Sequence, residues 1–242
     1  MFERVRHQQI AALLANLDAA LLRSCNCWFG GGTAVVLRYG EYRESLDVDF
    51  LVSDKRGYRQ LRRHLTGRAG FGAILREGHG LVRQLREIRA DRYGIRTRLG
   101  LADAAFKFEI VFEARIDLDV PGDDDEIGGV AALTPNDMAA TKLLANADRW
   151  ADDGAFNRDL IDLAMIEMPA AGLRAACRKA QQVYGEDVLR YLERSIARLR
   201  DREGWLQRCA EQLQIELPAA LIWQRVRRLQ RRLLSDGFER SG

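Results

Sequence analysis

The apolar residues of the chain change period several times in the first part and keep a helical period in the second. Near the start, five apolar residues recur every three or four positions: Ile10, Leu13, Leu14, Leu17 and Leu21. This spacing predicts an amphipathic helix over residues 4–23. Residues 27–29 and 45–52 are rich in β-branched and aromatic side chains and are predicted as strands. A short helix is expected between them, capped by Thr33 and ending at Gly40.

Further along, residues 58–66 fit a helix and residues 72–116 fit strands joined by turns. The clearest alternation is in residues 105–114, where Phe106, Phe108, Ile110 and Phe112 share one face. Lys107, Glu109, Val111 and Glu113 occupy the other face. The acidic, turn-rich segment "VPGDDDEIGG" follows, and we interpret it as the seam between two halves.

From Thr134 onward the pattern is helical. Thr134 can act as an N-cap, Pro135 suits the first helical position, and Asp137 falls in the first turn. A second helix is expected after a cap at Asn157. Further helices are predicted over residues 170–184, 186–201, 203–214 and 218–235. The sequence therefore predicts an α/β domain over residues 1–130 and an α-helical domain over residues 131–242.

Composition excludes several classes of protein. The 242 residues are 47% apolar and 30% charged, with a formal charge of +3, which is typical of a globular protein and gives no general case for nucleic-acid binding. The cysteines and histidines are too scattered for a zinc site. No signal peptide and no apolar run of bilayer length is present, so a cytoplasmic protein is expected.

The candidate chemistry lies in "WFGGGTAVVLRYGEYRESLDVDFLV", which contains Asp47 and Asp49. At positions i and i+2 of a strand, these carboxylates point the same way, about 6–7 Å apart. They would repel each other unless a cation lay between them. Mg²⁺ prefers oxygen ligands and commonly takes one or two carboxylates together with substrate phosphates. The pair is therefore a candidate Mg²⁺ site.

The glycines upstream add a candidate phosphate site. Gly30, Gly31 and Gly32 have no Cβ atom, so their backbone N–H groups can approach an anion closely. Thr33 then begins a helix, whose N-terminal end favours phosphate. A phosphate-binding turn beside two carboxylates is the arrangement that activates a nucleoside triphosphate (NTP).

Simpler interpretations of these residues stay open at this point. Asp47 and Asp49 could be solvent-facing acids on an edge strand, and the glycines could form only a tight turn. Glu109 could belong to a solvated sheet face, and Lys142 could extend along its own helix. The basic segment "WQRVRRLQRRLL" (residues 223–234) could be a solvated helix face or a surface for an RNA backbone.

Four segments in chain order resemble motifs of the nucleotidyltransferase superfamily. "GGTAVVLRYGEYRESLDVDF" is similar to the first motif of the AbiEii/AbiGii-type abortive-infection toxins, which reads close to GGTALALRYG…R.S.DhDF, where h is apolar. "FKFEI", "LTPNDMAATKLLANADR" and "RDLIDLAMI" resemble the second, third and fourth motifs. The resemblance covers residues 28–166, and four motifs in order make it specific.

The resemblance implies roles for residues of the first domain. Gly31, Gly32 and Thr33 would hold the β- and γ-phosphates of the NTP. Asp47 and Asp49 would bind Mg²⁺ and take part in catalysis. The implied fold is a mixed, twisted sheet flanked by helices, followed by the α-helical C-terminal domain, with the active site in the cleft between them.

It also implies roles for three further positions. Glu109 would be the third carboxylate, a metal ligand and the base for the attacking hydroxyl. The same motif also contains a lysine, here Lys107. Lys142 would contact the triphosphate. Asp159, or alternatively Asp162, would be the acidic residue of the helical domain that faces the site.

The implied activity is transfer of a nucleoside monophosphate (NMP) from an NTP to an acceptor, with release of pyrophosphate. The resemblance implies a toxin of a bacterial toxin–antitoxin or phage-defence system, with a cognate antitoxin as a possible partner. RNA, such as a tRNA 3′ end, is the favoured acceptor. The alternatives are a nucleotidyltransferase that modifies an antibiotic-type small molecule or a protein, and a non-catalytic RNA- or partner-binding protein on the same fold.

Overall fold

The strand-forming segments of the first half pair into one mixed sheet in the computed structural model, which describes residues 2–78 and 82–235. The strands are β1 (Cys27–Gly30), β2 (Val48–Val52), β3 (Val82–Gln84), β4 (Arg89–Ala90), β5 (Gly94–Leu101) and β6 (Ala104–Phe112). Their order across the sheet is β1-β2-β6-β5-β3, and β4 pairs with β5. β2 and β6 run parallel, whereas the other pairs are antiparallel. The predicted mixed sheet is confirmed.

Aromatic side chains fill the buried face of this sheet. The ring centroids of Phe29 and Phe50 lie 5.5 Å apart, and those of Phe50 and Phe108 lie 5.7 Å apart. These separations suit the offset and tilted contacts that aromatic pairs prefer. The alternation predicted for residues 105–114 appears in β6, where Phe106, Phe108 and Ile110 are buried and Lys107 is exposed. The opposite face of the sheet is therefore left to the charged side chains.

The helices of the first half are α1 (Val5–Ala15), α2 (Ala19–Ser24), α3 (Gly31–Arg38) and α4 (Lys55–Leu65). The prediction of one opening helix over residues 4–23 is wrong. Asp18 interrupts it, because its extended backbone and its carboxylate, which accepts from the Leu21 N–H, cap a new helix. The apolar period continues through this break and conceals it.

A small hairpin completes the first half. It consists of β7 (Glu126–Ile127) and β8 (Val130–Ala131), and a 3-10 turn lies at Gly70–Ile74. Asp125, in the acidic segment before the hairpin, forms an ion pair with Arg38 at 2.8 Å. The acidic segment thus lies inside the first compact unit, which consists of residues up to Glu41 and Ser45–Thr134.

The second unit consists of Tyr42–Glu44 and the chain from Pro135 onward. Its helices are α5 (Pro135–Arg149), α6 (Arg158–Met165), α7 (Ala170–Tyr184), α8 (Asp187–Asp201), α9 (Trp205–Gln212) and α10 (Ala219–Gln230). A 3-10 turn at Asp153–Ala155 and a π-helical turn at Arg231–Ser235 complete it. Over residues 2–78 and 82–235, no helix combines the length and apolarity needed to cross a bilayer.

The predicted helix starts of the second half are largely confirmed. α5 begins at Pro135 with Asp137 in its first turn, and the four later helices fall within the predicted ranges. Asn157 occupies the N-cap position of α6, but its side chain does not cap the helix. Instead its amide donates to Ser195 and accepts from the Trp205 indole N–H. A local capping rule cannot anticipate these tertiary partners.

A buried cluster of charges in the second unit joins residues 42–43 to α5 and α6. Asp162 is completely buried and accepts two hydrogen bonds from the guanidinium of Arg43, at 2.7 and 2.8 Å. The Tyr42 hydroxyl donates to the same carboxylate at 2.7 Å, and the Lys142 ammonium lies 2.7 Å from its other oxygen. Tyr42 and Arg43 therefore belong with the helices and not with the sheet that follows them in sequence.

Asp159 extends the cluster by one turn of α6. Lys142 donates to it at 3.1 Å, and Arg149 makes two hydrogen bonds to it at 2.6 and 2.9 Å. Burial by itself would raise the pKa of Asp162, but Arg43 and Lys142 outweigh it and hold that pKa well below its usual range. Burial is likewise outweighed at Asp159, where Lys142 and Arg149 lower the pKa. Both carboxylates are therefore ionised in the folded chain.

We expect Asp162→Asn to destabilise the protein by about 3 kcal/mol at neutral pH, because removing one partner of a buried ion pair leaves the other charges uncompensated. The measurement is urea unfolding followed by circular dichroism. Asp201→Asn is the matched control, since Asp201 forms an exposed pair with Arg200, and it should leave the midpoint unchanged.

The same variant has a pH signature. The pKa of Asp162 is lower in the folded protein than in the unfolded chain, where it is about 3.9. Asp162 therefore stabilises the fold fully above that pH, and this stabilisation is lost as pH falls through the folded-state pKa. Wild-type stability should therefore decline as pH falls below about 4, and Asp162→Asn should decline less steeply. Equal stability and equal pH dependence of the two proteins would contradict a stabilising role for the cluster.

Candidate active site

The strand register places a row of charged residues across the exposed face of the sheet. Gly30 of β1 lies opposite Asp49 of β2. Asp49 lies opposite Glu109 of β6, and Glu109 lies opposite Arg96 of β5. Residues that are directly opposite in register share one face of a sheet. The sheet thus brings together two predicted acids that are 60 positions apart in the sequence.

The glycine turn packs directly against Asp49. Gly31 has a φ of +68°, a conformation that L side chains rarely adopt, and it opens α3. A Cβ atom at Gly31 would lie 2.6 Å from the Asp49 Oδ2 atom. The absence of a side chain is therefore what allows the start of the helix to approach the carboxylate.

Thr33 holds the chain in front of the acidic strand. The prediction that Thr33 caps α3 is wrong, since the helix begins two residues earlier with Gly30 at the N-cap position. The buried Thr33 hydroxyl donates to the Asp47 carbonyl at 2.5 Å and is hydrogen-bonded to the Ser45 hydroxyl at 2.8 Å. The Ser45 N–H donates to Nε2 of the buried His7 at 3.3 Å. These contacts fix the backbone of Asp47, which precedes β2.

Two cations hold the Glu109 carboxylate. Arg96 donates to its Oε1 atom at 2.7 Å, and the Lys107 ammonium lies 3.2 Å from its Oε2 atom. Lys107 also lies 4.0 Å from the Asp47 carboxylate. Burial lowers the pKa of Lys107, but Asp47 and Glu109 outweigh burial and the net pKa is raised. Lys107 is thus a charged counterion shared by two predicted site carboxylates.

The carboxylates of Asp47 and Asp49 are suitable ligands for Mg²⁺. Both are oxygen donors next to a glycine turn, and the Asp47 side chain is 52% exposed. In the part of the chain that the structure describes, no three histidine, cysteine or acidic side chains form a group that could hold a metal alone. A magnesium ion here would therefore depend on this pair and on substrate oxygens, and the role of Glu109 as a third ligand stays a prediction.

The other predicted site residues lie in the second unit. Lys142 and Asp159 are both buried and bonded to each other within the cluster around Asp162. The cluster joins three cations, Arg43, Lys142 and Arg149, to the carboxylates of Asp159 and Asp162. Contact between Lys142 and a triphosphate, and a catalytic role for Asp159, stay predictions.

Sequence reasoning missed several residues that organise these sites. Arg96 could not be singled out, because only pairing of β5 with β6 places it next to Glu109. Arg43 and Ser45 could have been singled out from the sequence, because the first-motif pattern specifies an arginine and a serine at these positions. Their partners, Asp162 and Thr33, show why those positions matter.

Two solved structures share the fold. One is the crystal structure of JHP933 from Helicobacter pylori, which is 17% identical, covers 96% of this chain and 95% of its own, and has a TM-score of 0.52. The other, also from H. pylori, is described as a "putative nucleotidyltransferase"; it is 15% identical, covers 94% of each chain and has a TM-score of 0.52. At these identities the likeness concerns the fold alone. No curated protein matches the chain.

The family comparison extends over nearly the whole chain. A family model described as "Nucleotidyl transferase AbiEii toxin, Type IV TA system" matches residues 12–233. The match includes the glycine turn, the acidic strand, the buried cluster and the helices that follow. The chain therefore belongs to the AbiEii family of nucleotidyltransferase toxins of type IV toxin–antitoxin systems.

Proposed function

We propose that this nucleotidyltransferase transfers the NMP of an NTP to an RNA acceptor, with tRNA favoured, in an Mg²⁺-dependent reaction in the cytoplasm. The observation that supports the proposal is the close approach of Gly31 to Asp49, with Asp47 two residues away. A turn without side chains and two carboxylates are the groups that a metal–triphosphate complex requires. A cognate antitoxin is the proposed protein partner.

In this proposal the first unit binds and orients the triphosphate. The N-terminal end of α3 presents backbone N–H groups from Gly31 and Gly32 to the β- and γ-phosphates. The Thr33 hydroxyl is engaged with Asp47 and Ser45, so its side chain acts by positioning Asp47. Asp47 and Asp49 hold the Mg²⁺ ion, which when bound supplies charge neutralisation for the triphosphate.

The transfer step moves one phosphoryl group. A hydroxyl oxygen of the acceptor forms a bond to the α-phosphorus, the bond from that phosphorus to the bridging oxygen breaks, and pyrophosphate leaves. The hydroxyl proton goes to a carboxylate, and Glu109 is the proposed base. Arg96 and Lys107 each hold one oxygen of Glu109, and each carboxylate oxygen has a second lone pair that can accept the proton.

The acceptor is tested with each α-³²P-labelled NTP, Mg²⁺ and total RNA. We expect label to appear in RNA with the wild-type protein and to fall at least 100-fold with Asp49→Asn, which removes one metal ligand while keeping the size of the side chain. Asp103→Asn, in an exposed turn, is the control and should retain activity. Label on protein or on a small molecule would contradict an RNA acceptor and identify the acceptor instead. No transfer to any acceptor would favour a non-catalytic binding protein.

The glycine turn provides a second test. Gly31→Ala should reduce NTP binding at least tenfold in isothermal titration calorimetry, because the new Cβ atom would displace the Asp49 carboxylate. Gly40→Ala is the matched control, since Gly40 also has a positive φ, +89°, but its Cβ atom would meet nothing within 4 Å. Equal losses in the two variants would show backbone strain alone and would contradict a specific role for the turn.

Lys107 gives a test that does not depend on catalysis. We expect Lys107→Met to bind Mg²⁺ about five- to tenfold more tightly in the absence of nucleotide, because a positive charge about 4 Å from the ligands opposes the metal by about 1 kcal/mol or more. The measurement is Mg²⁺ titration calorimetry. Arg98→Met is the control, since Arg98 pairs in register with Lys107 on β5 but is a strand further from the acids. Unchanged or weaker Mg²⁺ binding by Lys107→Met would show that Lys107 does not compete with Mg²⁺ for these carboxylates.

A further inference from the structure

The last described helix carries a concentration of positive charge that the transfer reaction leaves unused. α10 and the π-helical turn after it contain five arginines and no acidic residue: Arg225, Arg227, Arg228, Arg231 and Arg232. The apolar residues Ile222, Val226, Leu229 and Leu233 are buried. The helix is thus anchored on one side, and its arginines are distributed over the remaining surface.

Three of the arginines line a cavity of about 230 Å³ in the second unit. Arg225, Arg228 and Arg232 lie at positions i, i+3 and i+7, which places them on one face of the helix. Leu173 and Leu229 contribute apolar lining. Arg227 and Arg231 do not line the cavity, so the same helix carries two separate arginine sets.

The cavity has an excess of positive charge. Glu167 is the one acidic residue among the side chains that line it, and Arg225 donates to that carboxylate at 3.0 Å. The Glu167 side chain is 67% exposed, so this pair is weak. Arg232 donates to the Met168 carbonyl at 3.1 Å. The Arg228 side chain lines the cavity, and its guanidinium makes no hydrogen bond or ion pair with residues 2–78 or 82–235.

We propose that this cavity and its three arginines bind the phosphodiester backbone of the RNA acceptor. The identity of the acceptor rests on the proposed function, whereas the binding site does not depend on the chemistry of transfer. The arginine planar fork pairs with phosphate through two parallel hydrogen bonds. The three residues extend over about 10 Å of helix axis, at 1.5 Å per residue. A line of cations of that length suits a polymer with one charge on every unit.

RNA fits these observations better than an acidic peptide does. A peptide would need an acidic residue at the matching position for each of the three cavity arginines, whereas every nucleotide of RNA carries a phosphate. The apolar lining beside the arginines also offers a surface for part of a sugar or base. The acidic peptide remains a distinguishable outcome of the test.

The test is binding of fluorescein-labelled tRNA, measured by anisotropy without NTP at several salt concentrations. The cavity variant is Arg228→Gln/Arg232→Gln. The matched control is Arg227→Gln/Arg231→Gln, which removes the same charge at the same i, i+4 spacing from the same helix but outside the cavity. We expect the cavity variant to bind at least tenfold more weakly and to lower the slope of log K against log salt by about 1.4, from two phosphate contacts at about 0.7 each.

Glu167→Gln adds a change of opposite sign. Removing the single cavity carboxylate should tighten tRNA binding severalfold, an effect that a purely structural role of the arginines would not produce. Thermal melting of every variant checks that the fold is retained. Equal losses in the two double variants, or no effect of Glu167→Gln, would overturn the proposal.

Two further readouts separate this site from its alternatives. Polyglutamate that binds the wild type more tightly than tRNA does, and loses affinity in the cavity variant, would overturn the proposal in favour of an acidic protein partner. Failure of the proposed function looks different: tRNA would bind through the cavity but would receive no label. If the wild type labels RNA but the cavity variant binds tRNA as tightly as the wild type does, the cavity proposal alone fails.

Discussion

The candidate site depends above all on the position of β2 between β1 and β6. Antiparallel pairing on one side sets Gly30 against Asp49, and parallel pairing on the other side sets Glu109 against Asp49. Because side chains alternate between the two faces, a slip of one residue would turn Asp49 into the core and Phe50 onto the surface. The aromatic contacts of Phe50 with Phe29 and Phe108 oppose such a slip. The packing of the core therefore selects the register that assembles the acids.

Both units stabilise carboxylates with nearby cations, but in different environments. In the first unit Glu109 lies between Arg96 and Lys107 at a surface that water reaches, so these contacts can exchange for those of a metal or substrate. In the second unit Asp162 is fully buried, and its contacts with Arg43, Tyr42 and Lys142 are costly to break. The exposed arrangement suits chemistry, and the buried one suits a fixed framework.

Periodicity predicted most helices of the second half, because each of them buries one apolar stripe against its neighbours. It failed at Asp18 and at Gly31, where the break or start of a helix depends on a side-chain cap and on a left-handed glycine instead of an apolar period. For the candidate site, the sequence was sufficient to single out the glycines and the acidic residues of the motifs. The sequence did not show that Arg96 contacts Glu109, because the two residues become neighbours only when β5 pairs with β6.

The sequence by itself determined most of the strands and helices along the chain, the apolar faces that they bury, and the motifs that identify the family. Tertiary structure alone decided which charges meet. Arg43 contacts Asp162, which is 119 positions away in the sequence. The Thr33 hydroxyl donates to the Asp47 carbonyl and does not cap α3. The physical reason is that hydrophobic periodicity reports local burial, whereas an ion pair or a buried hydrogen bond depends on where distant segments come to lie.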